Sequence, residues 1–216
     1  MGFVVLVICT GNICRSPVAE RLLRARIQAA ADIDVASAGT HGVIGRPIDH
    51  DSATALRELG VDPAGHVARR LDVRMLSAAD LILTATVAHR SIVLEADPLL
   101  LAKTFTLREF ARLAALPPDL AAAAEGVPTA AELRNRVGAI ARRRGGGDAA
   151  GAANDDIADP YGASIKGART AAAEIADAVT GIADGLGLPT ADAPSPGRAH
   201  RPPGPSLRPW GRHRPG

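Results

Sequence analysis

The sequence predicts an α/β fold in which a parallel β-sheet carries helices on both faces. Short apolar runs rich in β-branched residues, typical of buried parallel strands, alternate along the chain with segments whose apolar residues recur at helical spacing. With 216 residues, of which 47% are hydrophobic, the chain is long enough for one such domain with a sizeable core. In parallel sheets of this kind ligands bind at the carboxyl ends of the strands, so the site is expected there.

The first strand is predicted over residues 3–8, FVVLVI, an unbroken apolar run. Pro17 favours the first turn of a helix, and apolar residues at helical spacing extend this helix over residues 17–31. Residues 33–39, IDVASAG, are predicted to form strand 2. The remaining predicted elements are a helix over 52–60, a strand over 80–86, a helix over 87–96, a short strand over 103–107 and a closing helix over 164–186.

Two stretches do not fit a compact core. Residues 111–158 are rich in Ala and Arg, so we expect a flexible insertion over about 114–155, with the three arginines at 142–144 on a solvated helix end. Residues 189–216 hold eight of the sixteen prolines and hardly any aliphatic residues, which predicts a disordered tail. The predicted domain therefore spans residues 1–188.

Charge and cysteine usage narrow the class of protein. The tail carries five arginines against one aspartate, a balance of +4 that leaves −2 for the rest of the chain, so nucleic acid is not expected as a partner. No apolar stretch approaches the ~20 residues that a bilayer span needs, and we expect a cytoplasmic protein without membrane contact. Cys9 and Cys14 are too few for a secreted disulfide framework and lack the spacing of a zinc site, so we expect reduced thiols and no metal.

The stretch CTGNICRSP places a cysteine in a turn between the first strand and the first helix. Successive backbone N–H groups in such a loop, with the free N–H groups at a helix start, form a concave site for an anion of phosphate size. Arg15 adds a planar guanidinium group that can hold two phosphate oxygens. The same positive field favours the thiolate form of Cys9, so the pattern predicts phosphoryl transfer through a cysteinyl-phosphate.

Three further residues of this loop fit the same chemistry. Ser16 can donate a hydrogen bond that steadies the thiolate, and Gly11 and Asn12 tolerate the left-handed backbone that such a loop requires. A cysteine five residues before an arginine is weak evidence alone. The combination of strand, cysteine, Gly-Asn, Arg-Ser-Pro and helix is far more specific.

A carboxylic acid beside the loop would complete the reaction, because an aryloxide leaves poorly unless it is protonated. The stretch NDDIADPYG offers three candidates, Asp155, Asp156 and Asp159. Pro160 stiffens the chain directly after Asp159, and Tyr161 is the only tyrosine of the sequence. We therefore expect Asp159 to be the acid, and Asp155 and Asp156 to be solvated.

Residues 6–20, LVICTGNICRSPVAE, resemble the signature loop of the low-molecular-weight protein tyrosine phosphatases. The resemblance continues through SAGTHG (37–42), ADLILTATVAHR (79–90), FTLREFARL (105–113) and DPYG (159–162). It implies a three-layer sandwich around a four-stranded parallel sheet in the order 2-1-3-4, with Cys9 as nucleophile, Arg15 as the phosphate-binding arginine and Asp159 as general acid. Phosphorylated proteins would be the substrates, and no cofactor would be used.

The substrate-binding residues that the resemblance implies are Thr10, Gly11, Asn12, Ile13, Cys14, Arg15, Ser16, His41 and Tyr161. Two features bear on the phosphoamino acid. Thr10 stands where tyrosine-specific members usually carry a bulky aliphatic residue, which resembles the protein-arginine phosphatases of the same family. Residues 40–47 lack the aromatic that often lines a phosphotyrosine pocket, although Tyr161 supplies one aromatic wall. We expect a phosphotyrosine phosphatase, with a protein-arginine phosphatase as the alternative.

The other histidines that could serve a site are at positions 50, 66 and 89, and we expect surface or packing roles for them. A phosphate-binding module without catalysis is the alternative from another class, but a binder needs the loop and not the acid. Arsenate reductases share the fold that the resemblance implies, but they need cysteines downstream, and none follows Cys14. The sequence leaves the oligomeric state open.

Overall fold

The computed structural model of the chain describes residues 2–27, 32–115, 127–144 and 155–188. Its strands are all parallel and form one sheet in the order β2-β1-β3-β4, which confirms the predicted topology. The strands are β1 Phe3–Cys9, β2 Ile33–Gly39, β3 Leu81–Thr84 and β4 Thr104–Thr106. Because β1 lies between β2 and β3, its carboxyl end, where Cys9 stands, opens at the centre of the sheet.

The helices are α1 Arg15–Ile27, α2 His50–Glu58, α3 Val73–Ala78, α4 Val87–Ala96, α5 Leu107–Ala114, α6 Ala130–Arg142 and α7 Ile165–Gly185, with a 3₁₀ turn at Pro98–Lys103. The prediction for α4 is confirmed to the residue, and those for α2 and α7 hold within two residues. The first helix starts at Arg15 rather than Pro17, which places Arg15 in the loop-to-helix junction. Among the described residues no helix is long and apolar enough to cross a membrane.

Alternate residues of β1 enter two different cores, which is why its sequence is apolar throughout. Phe3, Val5 and Val7 pack into a large core with residues of α1, α5 and α7. Leu6 and Ile8 pack on the other face into a smaller core with residues of α3 and α4. Both faces of the sheet are therefore covered, as the run of β-branched residues predicts.

The prediction of a flexible insertion over 114–155 is wrong for residues 130–142, which form α6. Thr129 caps this helix and exchanges hydrogen bonds with Glu132, and Leu133, Val137 and Ile140 are buried. These apolar residues recur at helical spacing, but the composition of the stretch is dominated by Ala and Arg, which predicts a flexible segment. Residues 116–126, 145–154 and the predicted tail 189–216 lie outside the described residues, so the domain boundaries stay a prediction.

Arginines attach α6 to the edge of the sheet where β1, β3 and β4 begin, which we call the amino edge. Arg134 pairs with Asp80 at 2.7 Å and donates to the carbonyl of Gly2 at 3.2 Å. Arg144, just after the helix, pairs with buried Glu109 at 2.8 Å. The expectation that Arg144 is solvated is therefore wrong, since backbone carbonyls and a carboxylate satisfy its guanidinium group.

Candidate active site

The loop between β1 and α1 is the cradle predicted from the sequence, and Asn12 fixes its shape. Asn12 is fully buried and has a φ of 55°, in the left-handed region. Its side-chain nitrogen donates to the Ser16 hydroxyl at 2.9 Å and to the Ser37 hydroxyl at 2.8 Å, while its side-chain oxygen accepts from the Arg69 N–H at 2.9 Å. Every hydrogen-bonding group of the amide is thus used to hold the loop.

The sulfur of Cys9 lies 3.0 Å from the Ser16 hydroxyl, and both residues are buried. Because Asn12 donates to the Ser16 oxygen, the Ser16 proton is free to point at the sulfur. Ser37, which also accepts from Asn12, turns its own proton to the carboxylate of buried Glu20. The network therefore orients the Ser16 hydroxyl as a donor to Cys9, in the direction that stabilises a thiolate.

Arg15 is 5% exposed, and its guanidinium group is only partly satisfied. One terminal nitrogen lies 2.7 Å from the Asp159 carboxylate, and the other donates to the carbonyl of Ile157 at 3.1 Å. The buried Nε–H has no hydrogen-bond partner within the described parts of the chain. A buried charged donor without a partner is costly, so an anion bound in the cradle would remove that cost.

The segment that carries Asp159 is anchored almost residue by residue. Buried Asp155 pairs with Arg112 of α5 at 2.9 Å. Asp156 accepts from the N–H of Val87 at 2.7 Å. The N–H of Ile157 donates to the carbonyl of Ala85 just after β3, at 2.9 Å. The expectation of a solvated carboxylate is wrong for Asp155, which is buried, whereas Asp156 is exposed as expected and still serves as an anchor.

Asp159 itself lies at the opening of the cradle, where its side chain is 51% exposed. Its other carboxylate oxygen accepts from the N–H of Tyr161 at 3.2 Å. Of the three candidate acids, Asp159 is the one paired with Arg15, so the structure brings it to the cradle and leaves the other two outside.

The loop that follows β2 forms one wall of the cradle through backbone hydrogen bonds. The N–H of His41 donates to the carbonyl of Thr10, and that of Asp49 donates to the carbonyl of Ile13, at 2.9 and 2.8 Å. Val43 lies beside Gly11, since a Cβ added there would stand 3.5 Å from it. His41 and Tyr161 are both exposed, and their roles in substrate binding stay a prediction.

Cys14 lies behind the cradle and differs chemically from Cys9. It is buried among α1 and α2, and burial raises the pKa of its thiol to about 12, with Asp49 adding to the effect. Cys14 is thus protonated at neutral pH. Both cysteines are free thiols, as expected.

Two histidines for which the sequence predicts only surface or packing roles contact the cradle. The ring of buried His66 hydrogen-bonds to the carbonyl of Asn12 at 2.7 Å and supports the cradle from below. His89, at the start of α4, contacts the Thr10 hydroxyl through Nε2 at 2.9 Å. Burial lowers the pKa of His66, and burial together with the charge of Arg15 lowers the pKa of His89 to about 4. Both rings are therefore neutral near pH 7.

A parallel sheet of this order, with a Cys-x5-Arg-Ser-Pro cradle at the end of its first strand, defines the low-molecular-weight class of cysteine-dependent phosphatases. The chain belongs to the low molecular weight phosphotyrosine protein phosphatase family, whose model matches residues 4–116.

Several members of this family are similar to the chain. It is 38% identical over 113 residues to the low molecular weight protein-tyrosine-phosphatase Etp of Escherichia coli, a match that covers 52% of this chain and 74% of that one. The crystal structure of the Erwinia amylovora tyrosine phosphatase AmsI matches with a TM-score of 0.61 and 26% identity, over 85% of this chain and 93% of that one. The YwlE arginine phosphatase of Geobacillus stearothermophilus matches with a TM-score of 0.60 and 26% identity, over 84% and 91%.

Proposed function

We propose that this protein hydrolyses phosphotyrosine in cytoplasmic protein substrates through a phosphate ester of Cys9. The observation that carries the proposal is the buried Nε–H of Arg15, which has no partner among residues the structure describes and lies in the same cradle as a sulfur that accepts from Ser16. A bound phosphate would give this donor an acceptor and would bring its phosphorus to the sulfur. The nucleophile, the phosphate-binding arginine and the hydroxyl donor already lie together in the loop between β1 and α1.

In the first step the Cys9 sulfur attacks phosphorus, and the bond between phosphorus and the tyrosine oxygen breaks. Asp159 gives its proton to the departing oxygen, so the product leaves as a neutral phenol. Arg15 and the backbone N–H groups stabilise the charge on the transferred phosphoryl oxygens. In the second step water attacks the phosphorus, Asp159 takes up a proton from it, and the hydrogen bond from Ser16 stabilises the departing thiolate.

The ion pair between Arg15 and Asp159 has a role in this sequence. Without a substrate, Arg15 holds the carboxylate at the rim at 2.7 Å. A phosphate dianion offers Arg15 a second acceptor and places negative charge next to Asp159. Both effects weaken the pair with Arg15 and allow the carboxyl group to turn to the leaving oxygen.

The structure bears on the choice between phosphotyrosine and phosphoarginine. Thr10 is the residue that favours phosphoarginine, but its hydroxyl oxygen already contacts the His89 ring at 2.9 Å. Tyr161, with 65% of its surface exposed beside Asp159, remains available to stack on a phenol ring. Together with the tyrosine phosphatase relatives, these contacts support phosphotyrosine as the substrate.

The test compares turnover of p-nitrophenyl phosphate, a phosphotyrosine peptide and a phosphoarginine peptide. Cys9→Ser should abolish turnover of all three. Asp159→Asn should slow the aryl substrates by ~10²-fold, whereas Asp156→Asn, which keeps an acceptor oxygen for the Val87 N–H, should change little. A higher kcat/KM of the wild type for phosphoarginine would reverse the substrate assignment, and equal losses in the two aspartate variants would refute the role of Asp159.

A further inference from the structure

We propose that His89 is the positioning residue that fixes the nucleophile loop relative to the acid segment. Its ring lies between two hydroxyl groups, that of Thr10 in the cradle and that of Thr86 at the start of α4. His89 is 6% exposed, so the ring does not exchange these partners with solvent. The proposal rests on the function proposed above, because it concerns how that site is held in place.

From the two hydroxyl contacts we assign the ring proton of His89 to Nε2. The Thr86 hydroxyl accepts from the backbone N–H of His89 at 3.3 Å, as a helix cap does, and lies 2.6 Å from Nδ1. The Thr86 proton then has Nδ1 as its acceptor, which leaves the ring proton on Nε2. The ring therefore donates from Nε2 to the Thr10 oxygen at 2.9 Å.

Among the described residues, this contact holds Thr10 on the side where no backbone hydrogen bond reaches it. The carbonyls of Cys9 and Thr10 accept from the N–H groups of Thr40 and His41, both at 2.9 Å, and these bonds tie the loop to the segment after β2. On the opposite side, toward β3 and α4, the Thr10 hydroxyl is bound by His89. Without that bond, Thr10 would be attached only on the side of the segment after β2, through its hydrogen bond with His41.

The same helix start also holds the acid segment. Asp156 accepts from the N–H of Val87, and Ile157 donates to the carbonyl of Ala85. Residues 85–89 therefore bind the segment that ends in Asp159 through the backbone and bind the nucleophile loop through the His89 ring. One short stretch of chain therefore contacts both the nucleophile loop and the acid segment, in addition to the bonds that Arg15 makes to Ile157 and Asp159.

The charges that face the ring do not disturb this arrangement. The charged groups that act on the ring are Arg15, which lowers the pKa of His89, and Asp159 and Asp156, which raise it. Their effects oppose each other, and the buried ring stays neutral at the pH of turnover. His89 thus acts through the position of Thr10 and takes no proton from the substrate.

Two substitutions separate the two ring contacts. Gln places a donor near the position of Nε2 and can keep the bond to Thr10, whereas Asn places its polar atoms near Nδ1 and keeps only the contact with Thr86. We expect His89→Asn to lower kcat for p-nitrophenyl phosphate by about tenfold, the scale of one hydrogen bond. His89→Gln should recover most of that loss, although both variants lose one ring contact and should melt at similar temperatures.

The double-mutant cycle with Thr10→Val tests the contact itself. If His89 acts through Thr10, His89→Asn combined with Thr10→Val should be no slower than the slower single variant. Multiplied losses, or equal losses in His89→Asn and His89→Gln that track a fall in melting temperature, would show a packing role and overturn the proposal.

A readout that does not need turnover keeps this proposal separate from the proposed function. In the ¹⁵N spectrum of the imidazole groups, His89 should be the neutral Nε2–H form at pH 7, and its Nε2 resonance should shift in Thr10→Val. A Nδ1–H form, or a resonance that Thr10→Val does not move, would contradict the assignment. A wild type that does not turn over phosphotyrosine would refute the proposed function and leave this result intact.

Discussion

The carboxyl and amino edges of the sheet are both held by arginines, but the two guanidinium groups differ in how completely they are used. At the amino edge all three nitrogens of Arg144 have partners. Nε donates to Glu109 at 2.8 Å, one terminal nitrogen donates to the carbonyl of Leu101 at 2.6 Å, and the other reaches the carbonyl of Thr104. The group also lies over the ring of Phe105, 3.9 Å from its centroid. At the carboxyl edge Arg15 leaves its Nε–H without a partner in the described structure.

The difference indicates how to distinguish a structural arginine from one that binds a ligand. Both are poorly exposed, and both pair with a carboxylate, so burial and ion pairing alone do not separate them. The unsatisfied donor does, because a native structure tolerates it where a ligand completes the bond. Stability should depend on Arg144, and activity on Arg15.

The largest effect should come from Arg15→Ala, which removes the donors that face the phosphate. We expect kcat/KM for p-nitrophenyl phosphate to fall by about 10³-fold, because charge on the transferred group loses its main stabilising partner. Arg144→Ala is the matched control and should retain near wild-type kcat/KM at a temperature where it is folded. A similar loss of kcat/KM in the two variants would show that the unsatisfied Nε–H does not distinguish a ligand-binding arginine from a structural one.

Stability should show the reverse order. Arg144→Ala leaves buried Glu109 with one of its two arginine partners and removes the contact with Phe105, so the free energy of unfolding in urea should fall by about 3 kcal/mol. Arg15→Ala should be destabilised far less. Arg74→Ala, which breaks a solvent-exposed pair with Asp72, should leave the urea midpoint unchanged and serves as the control.

Peroxide should link the two cysteines at the carboxyl edge in a disulfide, and the rate of this closure should depend on pH. We expect Cys9 to be oxidised first and Cys14 to close a disulfide with it, but Cys14 must first lose its proton. Because its pKa is raised to about 12, the closure rate should rise about tenfold per pH unit between pH 7 and 9. Mass spectrometry of quenched samples measures this rate. A rate that does not change with pH would contradict the role of Cys14 as a buried, protonated thiol.

The smallest expected effect concerns acid stability around Glu109, the carboxylate that pairs with Arg144. Burial raises the pKa of Glu109, but hydrogen bonds and charges from Arg144 and Arg90 outweigh it and hold this pKa below its ordinary value of 4.5. A lowered folded-state pKa adds stability above the unfolded-state value, which is lost as the pH falls through the folded-state value. Between pH 5 and 3 the wild type should therefore lose more stability than Glu109→Gln, as urea titrations at each pH can measure. Parallel pH profiles would show that Glu109 does not contribute.

The sequence predicts the elements and residues whose signals are local. β1 is an apolar run because both of its faces are buried, and the cradle can be recognised because Cys9, Asn12, Arg15 and Ser16 lie within eight residues of each other. Asp159 is predicted to be the acid from its neighbours Pro160 and Tyr161 and from the family resemblance. These patterns are contiguous, so one stretch of sequence contains all of the information.

The features that escaped prediction depend on contacts between distant residues. His89 is 79 positions from Thr10, and Ser37 is 25 positions from Asn12, so no spacing in the sequence connects them. The composition of α6 suggested a solvated segment, because the carbonyl groups that satisfy its arginines belong to other parts of the chain. Long-range hydrogen bonds support the cradle, and they also attach α6 to the rest of the domain, so neither feature can be predicted from a local stretch of sequence.

The anchors on either side of residues 145–154 make this stretch a natural place for protein engineering. Arg144 is fixed to Glu109 before it, and Asp155 is fixed to Arg112 after it, so both ends are held by ion pairs with α5. Lengthening a closed loop costs about 0.6 kcal/mol for each doubling of its length. An affinity tag or a fluorescent reporter inserted between these two anchors would therefore leave the sheet and Asp159 in place.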